Sequence, residues 1–345
     1  MSRRFKLEAH TGRIIRLLAI GDEMNVLSLF DGMSCGRIAL DRAGIEVNKY
    51  YASELDKYAI TVTQANWPET MQLGDVTKWR EWDIDWSSID LLIGGSPCQG
   101  FSSAGKQLAF DDPRSALFFE YLNILNHIKS VNPEVKFLLE NVKMKKEYLD
   151  VISGLLGVEP VFINSALVSA QNRQRYYWAN WDFGQPSDKN ITLVDIIDSG
   201  AVDRQKSFCL DANYYKGGNL KSYFEKNRRQ LVFCLREINK RVCDVTISKD
   251  GVRPHKEDQR KSGLSEFGRM LFKDADKTYA LTTSHMPKLI DATGYRKLTP
   301  VECERLQTVP DNYTNHVSNT QRYKMLGNGW TVDVIAHIFR SMRIK

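Results

Sequence analysis

Short apolar runs, each closed by a glycine or an acidic residue and followed by residues at helical spacing, repeat from Asn25 to Trp181. Val26-Leu27-Ser28-Leu29-Phe30 leads into Asp31-Gly32-Met33-Ser34-Cys35-Gly36. Asn48 to Ser53 ends at Glu54, Asp90 to Ile93 ends at Gly94-Gly95, and Val135 to Leu139 ends at Glu140. Apolar runs of about four to eight residues read as strands buried on both faces. Such strands alternating with helices predict an α/β fold: a mixed, mostly parallel sheet with helices on both faces. The stretch 114–130, with Leu117, Phe118, Tyr121, Leu122, Leu125 and Ile128 at helical spacing, reads as one covering helix.

Beyond residue 181 the pattern changes. Residues 182–297 are more polar, with short strand-like pieces such as Leu231 to Leu235 and loops such as Lys216-Gly217-Gly218-Asn219. Regular helix returns at Thr299-Pro300-Val301-Glu302, an N-cap, a proline at the first helical position and an acid at the third. The chain therefore divides into a basic extension over 1–23, a larger α/β domain over 24–181, a smaller inserted domain over 182–297, and a return to the first domain over 298–345. Because the regular pattern starts at Met24, that residue is a candidate natural start.

The formal net charge of +6 has a single origin: residues 182–297 hold 22 Lys+Arg against 16 Asp+Glu, and the rest of the chain holds 26 of each. A basic inserted domain beside a neutral one suits a polyanion such as nucleic acid, although solvated faces also carry such an excess. The six cysteines, at 35, 98, 209, 234, 243 and 303, show no C-x-x-C spacing, so neither a zinc site nor a disulfide framework is expected. The histidines show no metal-like spacing either. No apolar run approaches membrane-spanning length, and the basic start lacks the core of a signal peptide. A soluble cytoplasmic protein in a reducing compartment is expected, with no membrane and no metal, and a monomeric state is the working expectation.

Several residues are placed for chemistry. In open α/β sheets ligands bind at the carboxyl ends of the strands. Cys98, delivered by Gly94-Gly95-Ser96-Pro97, presents a thiol there; the alternative is a small buried hydrophobe. Gly32 and Gly36 lie in the first strand-to-helix turn, whose spacing is not G-x-G-x-x-G. Glu54 can accept hydrogen bonds from ribose hydroxyls or cap a helix. Gln171, Arg173 and Arg175 alternate, so a strand would send all three to one face, where they suit an anion or an electron-rich ring; an exposed edge strand would look similar.

Taken in order, Phe30-Asp31-Gly32 with Gly36, Glu54, Asp75, Ser96-Pro97-Cys98-Gln99, Glu140-Asn141-Val142, Gln171-x-Arg173-x-Arg175, the helix from Leu298 to Pro310, and Gly327-Asn328 resemble the motif series of the cytosine-C5 DNA methyltransferases. The final block, with Trp330, is similar to that of the animal de novo enzymes and of phage or bacterial relatives. The resemblance implies a Rossmann-like S-adenosylmethionine-dependent methyltransferase fold whose inserted domain recognises the target, a DNA (cytosine-5-)-methyltransferase activity, double-stranded DNA as partner, and a prokaryotic or phage source. The same fold would serve a tRNA cytosine-C5 methyltransferase or a non-catalytic paralogue.

It further implies roles. Cys98 attacks C6 of a flipped-out cytosine, Glu140 holds the N3 edge, and Arg173 and Arg175 orient the base and stabilise charge. Gln99, Ser102, Lys106, Asn141 and Gln171 meet the substrate, with residues 100–106 forming a loop that closes behind the base. S-adenosyl-L-methionine contacts Phe30, Asp31, Gly32 and Gly36 at the methionine part and adenine edge, Glu54 at the ribose, Asp75 and Val76 at the adenine, Pro97 and Leu117 along the pocket, and Asn328 at the amino-acid end. Gly329 departs from the family, where a serine is common, which removes a hydroxyl contact.

Overall fold

The structure, a computed structural model, describes residues 23–97, 116–218, 220–234, 245–248, 251–254 and 294–342. Strand β1 (Met24–Leu29) has Val26, Leu27 and Leu29 wholly buried, so apolar partners meet both of its faces and it lies inside the sheet. It pairs in parallel with β2 (Val47–Ser53) on one side. Beyond β2 lies β3 (Met71–Gln72). On its other side β1 pairs in parallel with β4 (Leu91–Gly94), and β4 with β5 (Lys136–Val142). The sheet is completed by β6 (Val161–Asn164) and β7 (Gln174–Ala179), in the order β3-β2-β1-β4-β5-β7-β6, with β7 antiparallel to both neighbours. The mostly parallel sheet expected from the sequence is the one observed.

Alternate residues of each central strand feed two cores, as a period of two requires. Val26, Leu91, Ile93 and Leu138 pack with Ile38 of α1 (Cys35–Ala43) and, from the far end of the chain, Ile335, Ile338 and Phe339. Leu27, Leu29, Leu92, Phe137 and Leu139 point the other way. They meet Phe118, Tyr121 and Leu125 of α3 (Ala116–Val131) and Ile152 of α4 (Lys146–Leu156), while α2 (Lys57–Asn66) follows β2. Truncating Phe339 to alanine in such a setting costs about 3–5 kcal/mol.

Past β7 come the short α5 (Leu193–Ile196) and α6 (Leu220–Lys226). Leu193, Ile196, Leu210 and Tyr214 pack into the first of the two large cores, whereas Tyr223, Leu231 and Phe233 gather with Phe208, Leu220 and Phe224 in a small core of their own. Strand β8 (Leu231–Cys234) is followed by an antiparallel ribbon of β9 (Val245–Ser248) and β10 (Gly251–Pro254). It pairs antiparallel with β11 (Gly294–Lys297), Cys234 lying opposite Gly294.

The chain then returns through α7 (Pro300–Leu306), α8 (Asn319–Asn328) and α9 (Val332–Arg340). Helix α7 opens with the expected capping box: Glu302 N–H donates to Thr299 Oγ1 at 3.2 Å and Thr299 N–H to Glu302 Oε2 at 2.7 Å. Arg296 completes the site by bonding both oxygens of the buried Glu302 carboxylate. Helix α9 lies against α1, tied by Arg42 to Asp333 at 2.6 Å. No helix among the described residues is long and apolar enough to cross a membrane.

Candidate active site

From β1 the chain builds outward to β2 and β3 in one direction and to β4 and β5 in the other. The crevice between the carboxyl ends of β1 and β4 is thus a topological switch point, where open α/β sheets bind ligands. A cavity of about 490 Å³ opens there, within the range of small-molecule sites.

Its floor is the turn after β1. Phe30, Gly32 and Ser34 take φ values of 57°, 60° and 61°, all left-handed. Glycine adopts this without penalty, whereas Phe30 does so at about 1–2 kcal/mol. The turn is held by Asp31, whose Oδ1 accepts from the Tyr50 hydroxyl at 2.7 Å and whose Oδ2 accepts from Ser34 Oγ at 2.5 Å. Burial pushes the Asp31 carboxyl up to about 6, helped by the nearby Glu54 charge and opposed by hydrogen bonds from Ser28, Ser34 and Tyr50. Burial raises Tyr50 as well.

Glu54, one residue past β2, ties this turn to the second strand. Its Oε2 accepts from Gly32 N–H at 2.8 Å, and its Oε1 accepts from Leu55 and Asp56 N–H at 2.7 and 2.8 Å. Three acceptor positions of about four are thereby used, and one is left for a ligand hydroxyl. Leu55, 70 % exposed, is an apolar surface at the mouth. Asp75 accepts from Thr77 N–H and Oγ1, which lowers its carboxyl, and Val76 beside it is buried. Pro97 and Leu117 complete this side, and Asn328 closes it from α8.

On the other side stands Glu140, 8 % exposed. Arg175 Nε lies 2.7 Å from its Oε1, and Trp330 Nε1 donates to its Oε2 at 3.2 Å. Asn141 Nδ2 reaches Ser96 Oγ at 3.4 Å, and its Oδ1 accepts from Val142 N–H. Because β7 is antiparallel, it brings Arg175, opposite Val142, to the edge where β5 ends.

The alternating trio does not act as one face. Strand β7 begins at Gln174, and Gln171 sits before it in an isolated bridge to Ser207. Gln171 is fully buried and outside the cavity wall: its Nε2 donates to Leu306 O at 2.7 Å and Gln307 Oε1 at 2.8 Å, and its Oε1 accepts from Leu210 N–H. With its amide engaged in the interior, Gln171 braces the wall, in contrast to the substrate contact expected. Arg173 borders the cavity but directs its guanidinium to main-chain carbonyls, Leu210 at 3.0 Å, Gly329 at 2.8 Å and Gly327 at 3.3 Å.

Gly36 likewise stands back from the cavity; a Cβ there would collide with Ile93, so the glycine serves close helix-to-strand packing. Gly329 is tight too: a Cβ would lie 3.1 Å from Met325 O and 3.2 Å from Cys35 Sγ, so a larger residue there requires its neighbours to give by a few tenths of an ångström. Cys98, Gln99, Ser102 and Lys106 lie outside the described residues, as does the 1–22 part of the basic extension; Pro97, next to Cys98 in sequence, lines the cavity. Cys35 also lines it, but burial pushes its thiol up to about 12, so it stays protonated and unreactive. Leu55 and the Trp330 indole are site residues the sequence reading did not assign. Leu55 was findable by its adjacency to Glu54; the Trp330 contact had no local signal.

The model of a family described as C-5 cytosine-specific DNA methylase matches residues 24–151 and 160–343. Among curated proteins, the type II methyltransferase M1.ScrFI of Lactococcus lactis subsp. cremoris is 33 % identical over 334 residues, 92 % of this chain and 77 % of the relative. The type II methyltransferase M.NlaX of Neisseria lactamica is 31 % identical over 335 residues, 92 % and 96 % of the two chains. Among solved structures, the Entamoeba histolytica methyltransferase EhMeth shares the fold with a TM-score of 0.60 at 16 % identity, covering 93 % of this chain and 98 % of its own.

Proposed function

The chain belongs to the C-5 cytosine-specific DNA methylase family, enzymes that methylate cytosine C5 in DNA, and on that footing we propose that its crevice binds S-adenosyl-L-methionine on the Glu54 side and a flipped-out cytosine on the Glu140 side. One observation carries this reading: a single cavity is lined both by Asp31, Glu54, Asp75 and Pro97 and by Glu140 with Arg175. The remaining acceptor position on Glu54 suits a ribose hydroxyl, and exposed Leu55 suits the face of a purine. When bound, the cofactor supplies an electrophilic methyl group.

Cytosine C5 is a weak nucleophile, so the ring needs activation by addition of a thiolate at C6. Cys98, which directly follows Pro97, supplies it. Glu140 holds the N3 edge of the pyrimidine, its carboxylate oriented by Arg175, and that guanidinium stabilises negative charge near the thiolate. Asn141 and the sequence Gln99 to Lys106 complete the substrate side, where an extruded base costs a few kcal/mol in lost stacking. Residues 182–297, with their basic excess, recognise the duplex.

The test is a denaturation-resistant adduct with 5-fluorocytosine DNA in the presence of S-adenosyl-L-methionine. The wild-type chain forms it and Cys98→Ser does not. An undiminished adduct in the serine variant would remove Cys98 from this role.

A further inference from the structure

Glu140 is gripped at both oxygens by side chains from two separate parts of the chain, Arg175 of β7 and Trp330 just before α9. Arg175 approaches Oε1 through Nε, with its Nη1 turned to the Gln174 carbonyl at 2.8 Å. A carboxylate held at one oxygen by one donor can still pivot about that contact. The second hold, Trp330 Nε1 on Oε2 at 3.2 Å, removes the pivot.

The surroundings are shaped to admit the indole. A Cβ on Gly95 would lie 2.8 Å from Trp330 Nε1 and 3.0 Å from Glu140 Oε2, so glycine at this position is what lets the two groups meet. Trp330 is also fixed from behind. Gly329 O accepts from Arg173 Nη2 at 2.8 Å and from Gln307 Nε2 at 3.2 Å, and Thr331 Oγ1 donates to Gln307 Oε1 at 3.0 Å. Gln171 holds that same Gln307 oxygen at 2.8 Å.

We propose that Trp330 is a positioning residue whose indole N–H sets the orientation of Glu140 toward the pyrimidine edge, and that Arg173 and Gln171 support the reaction by fixing the backbone that carries it. The inference rests on the assignment of Glu140 to the cytosine edge. It differs from a wall-filling role for the ring, because filling needs the ring and orientation needs the N–H.

Trp330→Phe keeps the ring and removes the donor. Single-turnover methyl transfer to DNA from a methylation-free host is expected to fall about tenfold, as loss of one hydrogen bond to a charged group implies. KM for DNA and the Kd for S-adenosylhomocysteine stay within about twofold. In a Glu140→Gln background the same substitution adds less than about a twofold loss, since the oriented carboxylate is already gone. Gly95→Ala, which pushes a methyl between the two groups, reproduces the rate loss and its dependence on Glu140, and serves where Trp330→Phe folds poorly. Full activity of Trp330→Phe, or an equal tenfold loss in both backgrounds, overturns the proposal. Wild-type activity of Glu140→Gln alone instead overturns the assignment of Glu140 on which it rests.

Discussion

Arg173 holds the carbonyl of Gly329 at 2.8 Å from a position only 3 % exposed, and the same guanidinium bonds Leu210 O at 3.0 Å. One side chain thus joins the loop carrying Trp330 to the segment around Leu210, which packs into the first large core. Arg173→Ala strands these carbonyls, at about 1–3 kcal/mol apiece. Urea unfolding should show a loss of about 3 kcal/mol or more, and Arg173→Lys should recover only part of it, because a single ammonium cannot reproduce the guanidinium fork. Unchanged stability of the alanine variant would refute this bracing role.

Asp31 should leave a mark on the pH dependence of stability. Its folded pKa of about 6 exceeds the ordinary 3.8 because burial disfavours the charge. The native state therefore binds this proton more tightly than the unfolded chain does. The resulting stabilisation is complete below pH 3.8 and is lost as pH rises through about 6. Relative to Asp31→Asn, the wild-type chain should lose up to about 3 kcal/mol between acid and neutral pH. A difference between the two that stays constant from pH 4.5 to 7.5 would exclude it.

Gly327 marks a backbone crossing. A Cβ there would overlap the main chain of Asp211 and Ala212, which has no rotamer through which to yield. Gly327→Ala should lower stability by about 1–3 kcal/mol or more, read as a reduced denaturation midpoint at constant m-value.

Glu54→Gln tests the carboxylate at the end of β2. Oε1 accepts two N–H groups and Oε2 a third, so an amide must set its own NH2 against a donor whichever way it is turned. Calorimetric titration should show S-adenosylhomocysteine binding weakened about tenfold or more. Wild-type affinity would remove Glu54 from the cofactor side.

The sheet was legible because burial on both faces writes itself into consecutive residues: Leu91-Leu92-Ile93 can hardly be anything but a central strand. Acids at strand ends were legible for the same reason, since Glu54 and Glu140 lie within one or two residues of the apolar runs that position them. The fate of Gln171 was not legible. Its alternation with Arg173 and Arg175 suggested one strand face, but its partners Leu306 and Gln307 lie more than a hundred residues away and outcompete the local pattern. The Trp330 contact with Glu140 spans 190 residues and depends on the absence of a side chain at Gly95, information held by no single stretch of the chain.

Strands β8 and β11 are antiparallel neighbours, with Leu231 opposite Lys297 and Cys234 opposite Gly294. The chain between Cys234 and Gly294 thus departs and returns at one point, anchored by a short ribbon next to the smaller core. For such an excursion the closure entropy grows only logarithmically, about 0.6 kcal/mol for each doubling of length. The two anchors hold the entry and exit of this stretch side by side in a ribbon that shares no strand with the sheet carrying the crevice.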